Sequence, residues 1–154
     1  MTDHAHIAGA LFESGHNCAQ AVFCAFEDLM NIDPALALRL TSSMGGGVGR
    51  LREICGAVSG AALVLGVLYG SEAPCNAEEK AAHYARIQEV AEKFRAECGA
   101  IVCRELLKLQ EEKSDPTPEA RTAAYYHSRP CQLLVETAAR AVDEYIAAHP
   151  LKGE

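Results

Sequence analysis

Residues 45–60 read Gly-Gly-Gly-Val-Gly-Arg-Leu-Arg-Glu-Ile-Cys-Gly-Ala-Val-Ser-Gly, and few folds accommodate such a run. Glycines concentrated before a cysteine give a backbone free to turn in ways other residues resist, and free to approach another group closely. The small apolar residues after Cys55 extend to about Tyr69 and form a helix with little bulk on one face. A cysteine at such a helix start meets unpaired N–H groups and the positive end of the helix dipole, which favour a thiolate. Arg50 and Arg52 add fixed positive charge. Cys55 is therefore the first candidate for a low-pKa thiol, and Gly47, Gly49 and Arg50 are the loop residues expected to face any bound group.

The remainder of the chain punctuates as helices. Residues 4–13 form a first helix ended by Ser14-Gly15, and Asn17 with Gln20 makes a capping-box pair that opens a second. Asp33-Pro34 starts a third, to about Ser42, with Leu36, Leu38 and Leu40 available for burial. The central helix spans about Glu53 to Tyr69, its Gly56, Ser59, Gly60, Leu63 and Gly66 face suited to close packing by a neighbour. Asn76 with Glu79 opens a long helix to about Glu97, interrupted at Cys98-Gly99 and followed by a helical piece from Ala100 to Leu109. Residues 111–118 read as an exposed, mobile loop, and a final helix starts at Ser128-Arg129-Pro130 and runs to about Ala148. No strand-like alternation appears. The reading is an all-α protein, one domain over residues 1–154, a helical bundle or irregular helical array of about five to seven helices.

Seven cysteines occupy the 154 residues. Four of them, Cys18, Cys55, Cys103 and Cys131, fall at or near expected helix N-termini. Convergence of those starts would suit a dithiol pair or a thiolate-ligated metal centre, each helix end contributing ~0.3–1 kcal/mol to a nearby negative charge. Cys24 reads as core, Cys75 as an exposed thiol, and the echo of Cys55-Gly56-Ala57 in Cys98-Gly99-Ala100 as coincidence. No C-x-x-C, zinc-finger spacing, P-loop or dinucleotide fingerprint is present. His16, two residues from Cys18, is expected to have a surface or capping role. The net charge of −7 argues against a nucleic-acid binder, and no stretch suits membrane insertion. The N-terminus lacks a signal-peptide pattern, so a cytoplasmic location is expected.

With these residues placed, the chain resembles the family of redox-active proteins named for its cysteine–glycine pattern, C_GCAxxG_C_C. The resemblance is carried by residues 15–22, 45–50 and 55–60, by Leu65-Gly66 and Tyr69-Gly70, by residues 103–107 and by Cys131. It implies that the family's four characteristic cysteines correspond to Cys18, Cys55, Cys103 and Cys131. It also implies an electron-transfer setting with an iron–sulfur cluster; four thiolates suit the [2Fe–2S] type, and electron transfer calls for a redox partner protein. The alternatives are a metal-free thiol–disulfide protein using those four thiols, and a structural or sensing zinc site. The Gly56–Gly60 face could equally serve a homodimer interface, and the sequence does not distinguish that use from packing within the chain. Arg52 departs from the pattern, standing where a small residue is expected.

Overall fold

The structure, a computed structural model, describes residues 1–153; Glu154, the last residue of the expected domain, lies outside them. The described residues are helical, with one isolated antiparallel bridge between Ile54 and Val102 and no strand. The helices are α1 (His4–Glu13), α2 (Cys18–Ala25), α3 (Pro34–Thr41), a four-residue turn α4 (Gly45–Val48), α5 (Gly56–Tyr69), α6 (Ala77–Cys98), α7 (Cys103–Leu106), α8 (Ala123–Ser128) and α9 (Cys131–Ala148). They outnumber the five to seven expected because α4, α7 and α8 are one or two turns long, too short to show a period. None is long and apolar enough to cross a membrane.

Local signals set most helix ends. Asn17 accepts from the Gln20 N–H while Gln20 accepts from the Asn17 N–H, the reciprocal box that frees α2 from unpaired donors. The Asp33 carboxylate caps α3, whose first residue is Pro34. Gly99 takes φ +92° to end α6. Cys103–Leu106 is a single turn, shorter than the expected piece from Ala100 to Leu109. The segment 42–55 holds no continuous helix, so α5 begins at Gly56 and not at Glu53.

The core lies between α1, α2, α5 and α9, where Phe12, Phe23, Leu65, Val135 and Val142 are sealed from solvent, and Phe94 of α6 joins it from one side. On α9 the buried positions include Leu134, Val135, Ala138, Val142 and Tyr145, a helical stripe that faces α1 and its neighbours. His4 is buried at the same seam. Its ring stacks on Phe26 at 4.1 Å, with Nδ1 2.5 Å from Asp143 Oδ1 and Nε2 3.0 Å from Asp28 Oδ1, linking α1 to α9. In α3 the leucines run against expectation: Leu36, Leu38 and Leu40 are exposed, and the buried residues are Ala37 and Thr41. Spacing of four selects one face, and the small pair fits against α2 where leucines have no room.

The expected small-residue face of α5 is used in part. A methyl group at Gly60 would sit 2.8 Å from the Ala19 carbonyl oxygen and 3.0 Å from Val22 Cβ, so α2 and α5 touch backbone to backbone there. Gly66 has nothing within 4 Å of that position, and Ser59 and Leu63 are only half-buried. Gly60→Ala is therefore expected to destabilise the protein by about 1–3 kcal/mol through overpacking. Gly66→Ala is expected to stabilise it by about 0.5–1 kcal/mol, the helix-propensity gain. Urea unfolding of both variants checks the pair, and equal shifts of one sign would refute the packing assignment.

Candidate redox site

All four cysteines singled out by helix position sit at helix starts. Cys18, Cys103 and Cys131 are the first residues of α2, α7 and α9, and Cys55 is the N-cap of α5. Two of them are brought side by side by a short backbone pairing. The Cys55 N–H donates to the Ile101 carbonyl (2.8 Å) and the Cys103 N–H to the Glu53 carbonyl (2.6 Å), around the Ile54–Val102 bridge. Glu53 and Arg104 reinforce it with an ion pair at 2.9 Å. The Cys18 thiol hydrogen-bonds the sulfur of Cys131, and Cys18 stands against Gly56, the residue after Cys55. The four line one cavity of about 350 Å³. Cys24 is buried in the core, and Cys75 and Cys98 are half-buried away from this cavity.

The glycine loop forms the floor. Residues 46–50 all take positive φ, from +59° to +70°, as does Arg52 at +61°. Such a left-handed run costs glycine nothing and about 1–2 kcal/mol at each of Val48, Arg50 and Arg52. Backbone bonds from the Arg52 N–H to Gly46 and from the Glu53 N–H to Gly47, both 3.1 Å, hold it closed. Gly47 also lacks room: a Cβ there would stand 2.7 Å from the Glu53 nitrogen and 2.8 Å from Cys103 Cβ. The glycine is what allows Cys103 to reach the cavity. Gly47, Gly49 and Arg50, the loop residues expected to face a bound group, all line it.

Cations surround the sulfurs. Arg50, Arg52, Arg121 and Arg129 line the cavity with Asn17, Tyr125 and Glu119. Arg129 pairs with Glu119. Arg121 lies over the Phe12 ring at 4.4 Å and donates to the Phe12 and His16 carbonyls. Arg52 donates to Cys103 Sγ at 3.5 Å and to Ser114 Oγ at 2.9 Å. Residues 111–118 were expected to be a free loop. They are largely exposed, but Arg50 and Arg52 tether them, and Pro116 and Pro118 form part of the cavity wall. Arg121, Tyr125 and Glu119 fall in stretches with no sequence pattern around them, and Arg52 showed only as nearby positive charge and as a departure from the pattern. His16 has the expected capping role, its Nδ1 lying 3.0 Å from the Leu11 carbonyl oxygen.

The thiols rank differently from the sequence expectation. Burial pushes Cys55 up to about 12, and the N–H groups of Ala57 and Val58 offset this only in part. Cys131 is instead lowered, first by the hydrogen bond from Cys18 and then, against its own burial, by the charges of Arg129, Arg121 and Arg52. Cys18, the donor of that bond and itself desolvated, is raised well above the ordinary range. The dipole at the start of α5 is real, but removal of water outweighs it.

Among protein-family models, the one described as "Putative redox-active protein (C_GCAxxG_C_C)" matches residues 16–145. No curated protein and no solved structure matches the chain.

In the metal-free protein, alkylation followed by mass spectrometry is expected to label Cys131 at a pH below the ordinary thiol range and to leave Cys55 unlabelled until pH approaches 12. Cys55 also carries a stability signature. The folded state keeps its proton while the unfolded chain releases it near 9, so its contribution is intact below 9 and is lost as pH rises from 9 toward 12. Cys55→Ser should flatten that alkaline slope in unfolding curves, and an unchanged slope would contradict the assignment.

Proposed function

The chain belongs to the C_GCAxxG_C_C family of redox-active proteins, and we propose that Cys18, Cys55, Cys103 and Cys131 hold an iron–sulfur cluster, of the [2Fe–2S] type, that transfers single electrons to a partner protein. One observation carries the reading: four cysteines from four separate helix starts line a single cavity ringed by arginines. The donor set fits the group. Four thiolates are the usual protein ligands of such a cluster. When bound, the cluster supplies a one-electron couple.

The chain's own residues explain why that charge is tolerated in a buried place. Arg50, Arg52 and Arg121 have no carboxylate in ion-pair contact among the described residues. Their positive charge is therefore free to offset thiolates. The Arg52 guanidinium already donates to the Cys103 sulfur, and the Ala57 and Val58 N–H groups favour the Cys55 thiolate. Hydrogen bonds to ligand sulfurs are a main lever on the potential of such centres. The wall of Leu106, Leu107 and Leu134 limits water on one side.

A second reading has its own support in the hydrogen bond between Cys18 and Cys131. In a metal-free protein the Cys131 thiolate attacks one sulfur of a partner disulfide, and the displaced partner sulfur leaves as a thiolate and takes up a proton. The Cys18 thiol, losing its proton, then attacks Cys131 in the mixed disulfide. The net result is a Cys18–Cys131 disulfide and a fully reduced partner.

Purification without oxygen, followed by a visible spectrum and counts of iron, zinc and acid-labile sulfide, separates the readings. A cluster gives absorbance in the visible and about two irons with two sulfides per chain. Serine at any of the four cavity cysteines is expected to lower the iron content several-fold, while Cys24→Ser and Cys75→Ser retain it. A colourless, metal-free protein that forms the Cys18–Cys131 disulfide on oxidation would transfer the function to the dithiol. Zinc alone would make the site structural or sensing.

A further inference from the structure

Arg52 combines two penalties at one residue. It is only 4% exposed, and a buried cation without an anion costs several kcal/mol in lost hydration. Its backbone also sits at φ +61°, a conformation that non-glycine residues avoid. Such a combination persists where the side chain has a task.

The donors of Arg52 show what that task lacks. A guanidinium has five N–H groups. The Nε–H goes to Ser114 Oγ and one N–H of Nη1 to Cys103 Sγ. The remaining three, including both on Nη2, have no acceptor among the described residues. Nη2 is not sealed in protein, because no buried side-chain nitrogen or oxygen of the described residues lacks a partner. Arg52 is itself part of the cavity wall.

Arg50 stands beside it. A Cβ at Gly46 would lie 2.8 Å from Arg50 Cγ and 3.8 Å from Arg52 Nη1, so the two side chains flank this one glycine. Arg50 Nε donates to the Asp115 carbonyl at 2.7 Å and makes no ion pair. The one carboxylate on the cavity wall, that of Glu119, is taken by Arg129. The cavity, at about 350 Å³, has the size of a small-ligand pocket, where a few polar groups converge within an apolar lining.

We propose that this cavity binds a small oxyanion, the carboxylate, phosphate or sulfate group of a small molecule, on the free N–H groups of Arg52 with Arg50 beside it. A guanidinium offers such groups charge-assisted, paired hydrogen bonds. The site is built from nitrogen donors and goes beyond the cluster reading, which draws on the charge of these arginines but assigns no ligand to their free N–H groups.

Isothermal titration of the purified protein with inorganic phosphate, and separately with sulfate and acetate, tests it. Ionic strength is held constant with chloride, and iron and sulfide are counted on the same sample. The expected result is saturable binding of one anion per chain. Arg52→Met should weaken it at least about tenfold, the loss of a charge-assisted contact. Arg52→Lys should fall between, and Lys93→Met, which touches only the distant Glu144, should match the parent. Preference for acetate identifies a carboxylate site, and preference for phosphate or sulfate a tetrahedral one. Should Arg52→Met lose the helical circular dichroism of the parent, Arg50→Met is judged by the same criterion of weakened binding. No saturable uptake of any of the three anions overturns the proposal, as does parental affinity in the folded variant. Anion binding without iron would sink the cluster reading alone, and iron without anion binding would sink only this one.

Discussion

The site depends on a backbone pairing only a few residues long. Residues 53–55 and 101–103 exchange hydrogen bonds around the Ile54–Val102 bridge, and this places the starts of α5 and α7 next to each other. With that contact made, the left-handed run 46–50 is the path by which the chain reaches it from α3, and Gly47 has no space for a side chain because Cys103 stands against it. The same contact positions Arg52, whose carbonyl accepts from the Arg104 N–H while its guanidinium reaches Cys103. Strain in the loop is thus tolerated because hydrogen bonds from both sides over-determine it.

Much of the fold was legible because helix ends are announced locally. Asn17 with Gln20, Asp33-Pro34, Asn76 with Glu79, and Pro130 each act over a few residues, and they placed Cys18 and Cys131 at helix starts without tertiary information. What the sequence could not show was long-range. Whether Leu36 and Leu40 or Ala37 and Thr41 face the core depends on how much room α2 leaves. The ranking of Cys55 and Cys131 depends on burial and on arginines distant in the chain. Arg52 looked like a departure from a pattern because its partners, Ser114 and Cys103, are assigned only by the fold.

The charge distribution runs opposite to the chain's total. A protein of net charge −7 collects four arginines around one cavity, three of them free of carboxylate contacts among its described residues. Apart from Glu119, the acidic groups of the described residues lie off the cavity wall, several of them on α6, whose first turn carries Glu78 and Glu79. A concave, partly desolvated region of one sign concentrates its field, because low-dielectric walls screen it less than open solvent would. The thiolates, or whatever anion occupies the cavity, meet a potential that net charge alone would not suggest.

Because α1 packs on α9 and Cys131 is the first residue of that last helix, the order of synthesis has a bearing on the cavity. A nascent chain displays Cys18, Cys55 and Cys103 as separate thiols while the fourth is still inside the ribosome. The enclosure exists only after α9 has emerged and docked on α1, a sequence-distant contact of the kind that tends to form late. A group held by all four sulfurs would therefore be enclosed only once α9 has docked, and a chain truncated before residue 131 lacks one of the four sulfurs and the helix that closes the cavity.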